Sequence, residues 1–139
     1  MQSDKIDTVR IGQLELRFIV NEEGATVFEL TVPAQARVPA PHYHKDADEF
    51  LYGLEGILTV TVDGRTQELG VGDAVFVPRG AVHHHENLHG TTAKALVAIT
   101  PGTIGRRYFE EIAEVINVPG KLDLAKANEI MLHHGLVPA

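Results

Sequence analysis

From about residue 11 to residue 100, apolar and polar side chains alternate with a period of two, interrupted at short intervals by turn residues. Leu14, Leu16, Phe18 and Val20 alternate with Glu15, Arg17 and Ile19, and beyond "NEEG" the pattern resumes at Phe28, Leu30 and Val32 until Pro33. Successive side chains of a strand point to opposite faces, so each run predicts a half-buried strand. Pro33 has no N–H to give a ladder and predicts the end of the second one. After the Pro- and Ala-rich "PAQARVPAP", Leu58, Val60 and Val62 alternate with Ile57, Thr59 and Thr61 up to Asp63-Gly64, and "TQEL" returns on the far side. Asp-Gly between two strand-like runs predicts a type I′ hairpin, whose two central residues both need positive φ. "AVFVP" reads as a compact buried strand, with "AVHHHENL" and "TAKALVAIT" as later ones. Many short strands at fairly even spacing predict an all-β sandwich or barrel.

After "TPGTIG" the period lengthens. In "RRYFEEIAEVI", Phe109, Ile112, Ala113 and Ile116 recur at helical spacing while Arg106, Glu110, Glu111 and Glu114 occupy the other faces, which predicts an amphipathic helix. "NVPG" stops it, and a second helix is expected through "DLAKANEIMLHH", opened by Asp123 as N-cap and closed by Gly135. Residues 1–104 are therefore expected to form the β-barrel with its N-terminal strands, and 105–139 a helical extension packed on it within one domain.

The 139 residues are 44% hydrophobic and 22% charged, the composition of a folded globular chain, and no apolar run is long enough to span a bilayer. The net charge of −7 comes with scattered Lys and Arg, which argues against nucleic acid as a partner. There is no cysteine, and "MQSDKIDTVR" has no apolar signal core, so a cytoplasmic location is expected. A serine nucleophile is not expected, because the only serine is Ser3. The glycines of "GVGD" and "PRG" serve backbone turns and not phosphate binding, since no helix follows them.

Without cysteine, any metal site must be built from His, Asp and Glu, and the eight histidines cluster at 42 and 44, at 83 to 85, and at 133 and 134, with His89 alone. On a strand, His42 and His44 would project together as a two-nitrogen chelate while Tyr43 points away. Asp48 has the wrong parity beside Glu49 and is expected at solvent or an interface. By the same rule His85 shares a face with His83, as a hydrogen-bond partner near a ligand or a substrate contact, and His84 faces away. His89, next to Gly90, reads as a solvated loop residue. His133 and His134 end the second helix, where the helix dipole favours a cation and no ligand role is required.

Two spaced patterns go further: His42-x-His44-x4-Glu49-x6-Gly56, then Gly72-x5-Pro78-x-Gly80-x2-His83-x3-Asn87. Together they resemble the two conserved barrel motifs of the cupin superfamily, in its small single-domain form. Ala36 departs from the pattern, standing where the family often has a glycine six residues before the first histidine. The resemblance covers roughly residues 30 to 100. It implies a jelly-roll β-barrel holding one metal ion through His42, His44, Glu49 and His83. Three imidazoles and one carboxylate suit a divalent Fe, Mn, Ni, Cu or Zn ion better than Ca or Mg.

Four protein ligands leave about two positions of an octahedral ion for a substrate, and Glu49 could also serve as a base for a bound hydroxyl. "TPGTIGRRYFEEIAEV" is loosely similar to the stretch after the barrel in quercetin dioxygenase-like cupins. The implied function is a dioxygenase-type oxidoreductase acting on a small enolic or phenolic chelating substrate. The alternatives are a non-oxidative cupin isomerase, lyase or decarboxylase, and a non-catalytic metal- or ligand-binding module. A homodimer is the oligomeric state that the resemblance implies.

Overall fold

The computed structural model describes residues 7–139; Ser3 lies outside them. Among the described residues the chain runs through β1 (Thr8–Ile11), β2 (Leu14–Asn21), β3 (Thr26–Val32), β4 (His42–His44), β5 (Asp48–Glu55), β6 (Leu58–Val62), β7 (Arg65–Leu69), β8 (Ala74–Val77), β9 (His83–Glu86) and β10 (Ala93–Thr100). It then forms α1 (Arg106–Ile116), α2 (Leu124–His133) and a last strand, β11 (Leu136–Pro138). Two antiparallel sheets, in the orders β1-β2-β3-β10-β5-β8 and β11-β4-β9-β6-β7, make the jelly-roll. The fold is all-β with a C-terminal helical extension, as expected, but the extension ends in a strand that rejoins the barrel.

Alternation governs most strands. Leu14, Leu16 and Phe18 of β2 and Phe28, Leu30 and Val32 of β3 turn inward to form one core with Leu51, Leu58, Val60, Val97 and Ile99. The pairing of β2 with β3 slips between Phe18 and Val20, a bulge that leaves Ile19 outside and Val20 only half-buried. Asp63 and Gly64 adopt φ of 48° and 81°, the double positive φ of the predicted hairpin turn.

"AVFV" departs from the compact buried strand expected of it. Only Val75 and Val77 are buried, while Phe76 is 59% exposed, because one face of this sheet covers the core and the other, which carries Phe76 beside Phe50 of β5, is outward. Ala36 causes no strain, since the positive φ in this loop belongs to Gln35.

The helices lie against the barrel. α1 lacks a side-chain cap of its own, and Asn21 Oδ1 accepts from the Arg106 N–H at 3.0 Å in its place. At the other end Asn117 Oδ1 accepts from Gly12 N and Asn117 Nδ2 donates to Arg10 O, tying the helix to the β1–β2 turn. Asp123 caps α2 as predicted, accepting from Lys126 N at 3.1 Å. The buried residues of α1 are Tyr108, Ile112 and Ala113; Phe109 is half-buried against Phe18 and Phe28, and Ile116 is 38% exposed, so the predicted apolar face is rotated towards Tyr108.

Candidate metal centre

β4 is short, and the pleat of its three residues sends His42 and His44 to one side with their rings stacked, centroids 5.3 Å apart. β9 runs beside it with His83 opposite His42, and the His83 ring sits 4.7 Å from that of His42 and 4.8 Å from that of His44. One nitrogen of each ring lies within 4.8 Å of the others, a spacing that a single ion can bridge. Glu49 comes from β5 in the other sheet, and its Oε1 stands 3.6 Å from Nε2 of both His44 and His83. The structure thus brings together all four residues that the sequence pattern nominated, from three strands and both sheets.

Local hydrogen bonds orient two of the rings. His42 Nδ1 lies 2.9 Å from the carbonyl of Ala40, and His83 Nδ1 stands in the same relation to Ala81. A carbonyl only accepts, so each ring donates an Nδ1 proton there and turns its Nε2 towards the cluster. His44 has no such partner for its buried Nδ1.

Burial dominates the electrostatics of the neutral rings. It lowers the pKa of His42, brings that of His44 to about 4, and outweighs the attraction of Glu49 in both. Burial also opposes ionisation of Glu49, but the adjacent His83, then His44 and His42, overcome it and hold the carboxyl at about 2. For His83 burial acts downward, and proximity to Glu49 prevails and raises it. At neutral pH His42 and His44 therefore offer imidazole lone pairs beside an ionised carboxylate that is only 8% exposed and pairs with nothing but histidines, while His83, held by that carboxylate, keeps its proton more tightly and gives it up when an ion binds. This donor set fits a divalent first-row ion, which would supply the countercharge that a buried carboxylate otherwise lacks.

The cluster opens into a cavity of about 360 Å³ that runs between the sheets to the helices. His85 lines it as its parity predicted, with a buried Nδ1 that has no partner and a pKa lowered to about 4 by burial. Tyr108 and Asn128 also line it, and sequence patterning nominated neither. Burial raises the Tyr108 pKa.

The remaining candidates sit elsewhere. Asp48 accepts from Arg79 N at 2.9 Å and pairs with its guanidinium on the outer surface, and His84 lies 3.5 Å from Glu86. His89 is held by Glu68 at 2.9 Å rather than being free in solvent, and His134 joins Glu111 of α1 at 3.0 Å, linking the two helices.

Residues 28–99 match the family model described as the cupin domain. Tetracenomycin polyketide synthase protein TcmJ of Streptomyces glaucescens is 40% identical over 60 residues, covering 43% of this chain and 40% of that protein. Quercetin 2,3-dioxygenase of Bacillus subtilis is 36% identical over 61 residues, covering 44% of this chain and 18% of that protein. The matched stretch thus spans less than half of either relative. Among solved structures, KdgF from Halomonas sp. superposes with a TM-score of 0.62 at 21% identity, covering 68% of this chain and 86% of that one, a likeness of fold. With the family match extending over 28–99, the strands that carry all four clustered side chains among them, the chain belongs to the cupin family.

Proposed function

We propose that His42, His44, His83 and Glu49 hold one divalent first-row transition ion, and that the protein is a dioxygenase-type oxidoreductase for a small enolic or phenolic substrate. The observation that carries this reading is the placement of three imidazoles and an ionised carboxylate in the wall of a largely apolar cavity. When bound, the ion supplies Lewis acidity and open coordination positions to a chelating substrate. His42 and His83 are held ready by their carbonyl partners, which limits the reorganisation that binding requires. Glu49 is the only carboxylate among the described residues lining the cavity, so it is the group available to take a proton from the substrate hydroxyl. The apolar walls exclude water from the reacting end.

The name of the Bacillus subtilis relative supports the dioxygenase reading. The name of TcmJ, a polyketide synthase protein, supports a second one, a non-oxidative reaction on a similar chelating substrate. Metal analysis of tag-free protein, with a His42→Ala, His44→Ala variant beside it, tests the site: near-stoichiometric metal in the wild type and its loss in the variant are expected, and full retention in the variant refutes the ligand assignment. Dioxygen uptake with a flavonol or catechol separates the two reactions. Turnover without uptake selects the non-oxidative reading, and ligand binding without turnover selects the binding module.

We further propose a homodimer. Phe50, Tyr52 and Leu54 of β5 and Phe76 of the edge strand β8 form an apolar outer face, and Phe76→Glu is expected to yield monomers in light scattering where the wild type is dimeric.

A further inference from the structure

The two helices close the cavity with one stripe each. α1 contributes Tyr108, Phe109, Ile112 and Ile116, and α2 contributes Leu124, Ala127, Asn128 and Met131. Six of these eight are apolar. The hydroxyl of Tyr108 and the amide of Asn128 make no hydrogen bond with any described residue, although Tyr108 is only 6% exposed. The buried side-chain atoms without a partner among the described residues are Thr26 Oγ1, His44 Nδ1 and His85 Nδ1, so the Tyr108 and Asn128 polar atoms are not sealed off and are free to bond a molecule in the cavity they line.

The rest of the lining narrows what satisfies them. Among the described residues the cavity has no Lys or Arg, so a phosphorylated or carboxylated sugar would bring charge with no counterpart beyond the metal-binding end. Beyond the metal-binding end the hydrogen-bonding side chains that line it are His85, Tyr108 and Asn128, few for a polyhydroxylated molecule. Leu14, Leu16, Phe28, Leu30, Val97 and Ile99 instead offer a wall for rings.

We infer that the roof selects a neutral polycyclic phenol or enol, with Tyr108 and Asn128 hydrogen-bonding an oxygen of that molecule away from its chelating edge. The inference rests on the metal-site reading above and supplies its substrate class.

A matched pair of probes tests it. 1,8-Dihydroxyanthraquinone carries a hydroxy-ketone edge and a carbonyl on the opposite side; 1,8-dihydroxyanthrone has the same edge and no opposite carbonyl. Both are titrated anaerobically into zinc-loaded protein, with gluconate as the anionic polyol. The anthraquinone is expected to bind more tightly than the anthrone, and gluconate not to compete. Tyr108→Phe and Asn128→Leu should each weaken the anthraquinone about fivefold and bring it towards the anthrone, whose affinity stays the same. Because the Tyr108 hydroxyl bonds to no described residue, Tyr108→Phe is expected to melt no lower than the wild type.

Equal effects of the variants on both probes, no effect on either, no binding of either probe, or competition by gluconate would overturn the inference. Absence of metal from the wild type would refute the metal reading alone, since the same pair titrated into metal-free protein still reports on the roof.

Discussion

Proline at position 137 tests whether the C-terminal strand holds the histidine strand in place. β4 has only three residues, and on one side its sole register pair is His42 with His83 of β9. On the other side β11 runs along its whole length, Leu136 opposite His44, Val137 opposite Tyr43 and Pro138 opposite His42. Lys45 donates to Gly135 O at 2.8 Å and Ala139 to Pro41 O at 3.1 Å. Bonded and non-bonded pairs alternate in an antiparallel ladder, so Val137 and Tyr43 exchange both hydrogen bonds, while Pro138 falls where no N–H is called for. Val137→Pro removes a donor, orphans the Tyr43 carbonyl and splays the ends. If the strand lets go, four main-chain bonds at about 1 kcal/mol each are lost, together with the burial of Leu136, now 3% exposed and worth about 2 kcal/mol.

The resulting 6 or so kcal/mol is a large share of a typical domain's stability, and it corresponds to a fall in Tm of roughly 20 °C. His42 and His44 then lose the strand that flanks them, and zinc affinity, read by competition with a chromophoric chelator, is expected to drop at least about tenfold. Val137→Ala keeps the N–H and serves as control. If Val137→Pro binds zinc and melts like Val137→Ala, β11 is not what positions the histidines.

Three further outcomes follow from single groups. Asn87 is 1% exposed, donates to Val32 O at 3.0 Å and Thr91 O at 2.8 Å and accepts from His89 N at 3.0 Å; Asn87→Ala strands those partners and is expected to lower stability in urea by about 3 kcal/mol. A side chain at Gly56, whose φ is 63°, would collide with Thr92 O, so Gly56→Ala is expected to yield little soluble protein. In metal-free protein, burial depresses the folded pKa of His44 and His85 to about 4 from 6.5. Their stabilising contribution is present above 6.5 and lost as pH falls towards 4, up to about 3 kcal/mol each, and the raised pKa of His83 offsets part of it. Urea midpoints that do not fall between pH 6.5 and 4 would contradict this sign.

Where local chemistry decides the outcome, the sequence was a sufficient guide. Asp63-Gly64 must turn the chain because both positions take positive φ, and the parity of a three-residue strand puts His42 and His44 on one face. It failed where a distant neighbour decides. "AVFV" is uniformly apolar, and which of its faces turns inward is set by its pairing with β5, where Phe76 stands opposite the outward-facing Phe50. β11 has no pattern of its own and becomes a strand because β4 offers it an unpaired side.

The cavity shows the same division within one site. Its chemical end is written in two short motifs, because ligands must sit at fixed spacings on adjacent strands. Its roof comes from side chains whose helical rows fit two descriptions equally well: Phe109, Ile112, Ala113 and Ile116 share a face, and so do Tyr108, Ile112 and Ile116. Only docking on β1, with the helix ends tied to Asn21, Gly12 and Arg10, selects the face that turns Tyr108 inward. A signal was nonetheless present in α2. Leu124, Ala127, Asn128 and Met131 form one helical row, and an amide within an apolar row calls for a polar partner. No described protein group supplies one to Asn128, which is half-buried and lines the cavity, so that partner is solvent or a molecule held there.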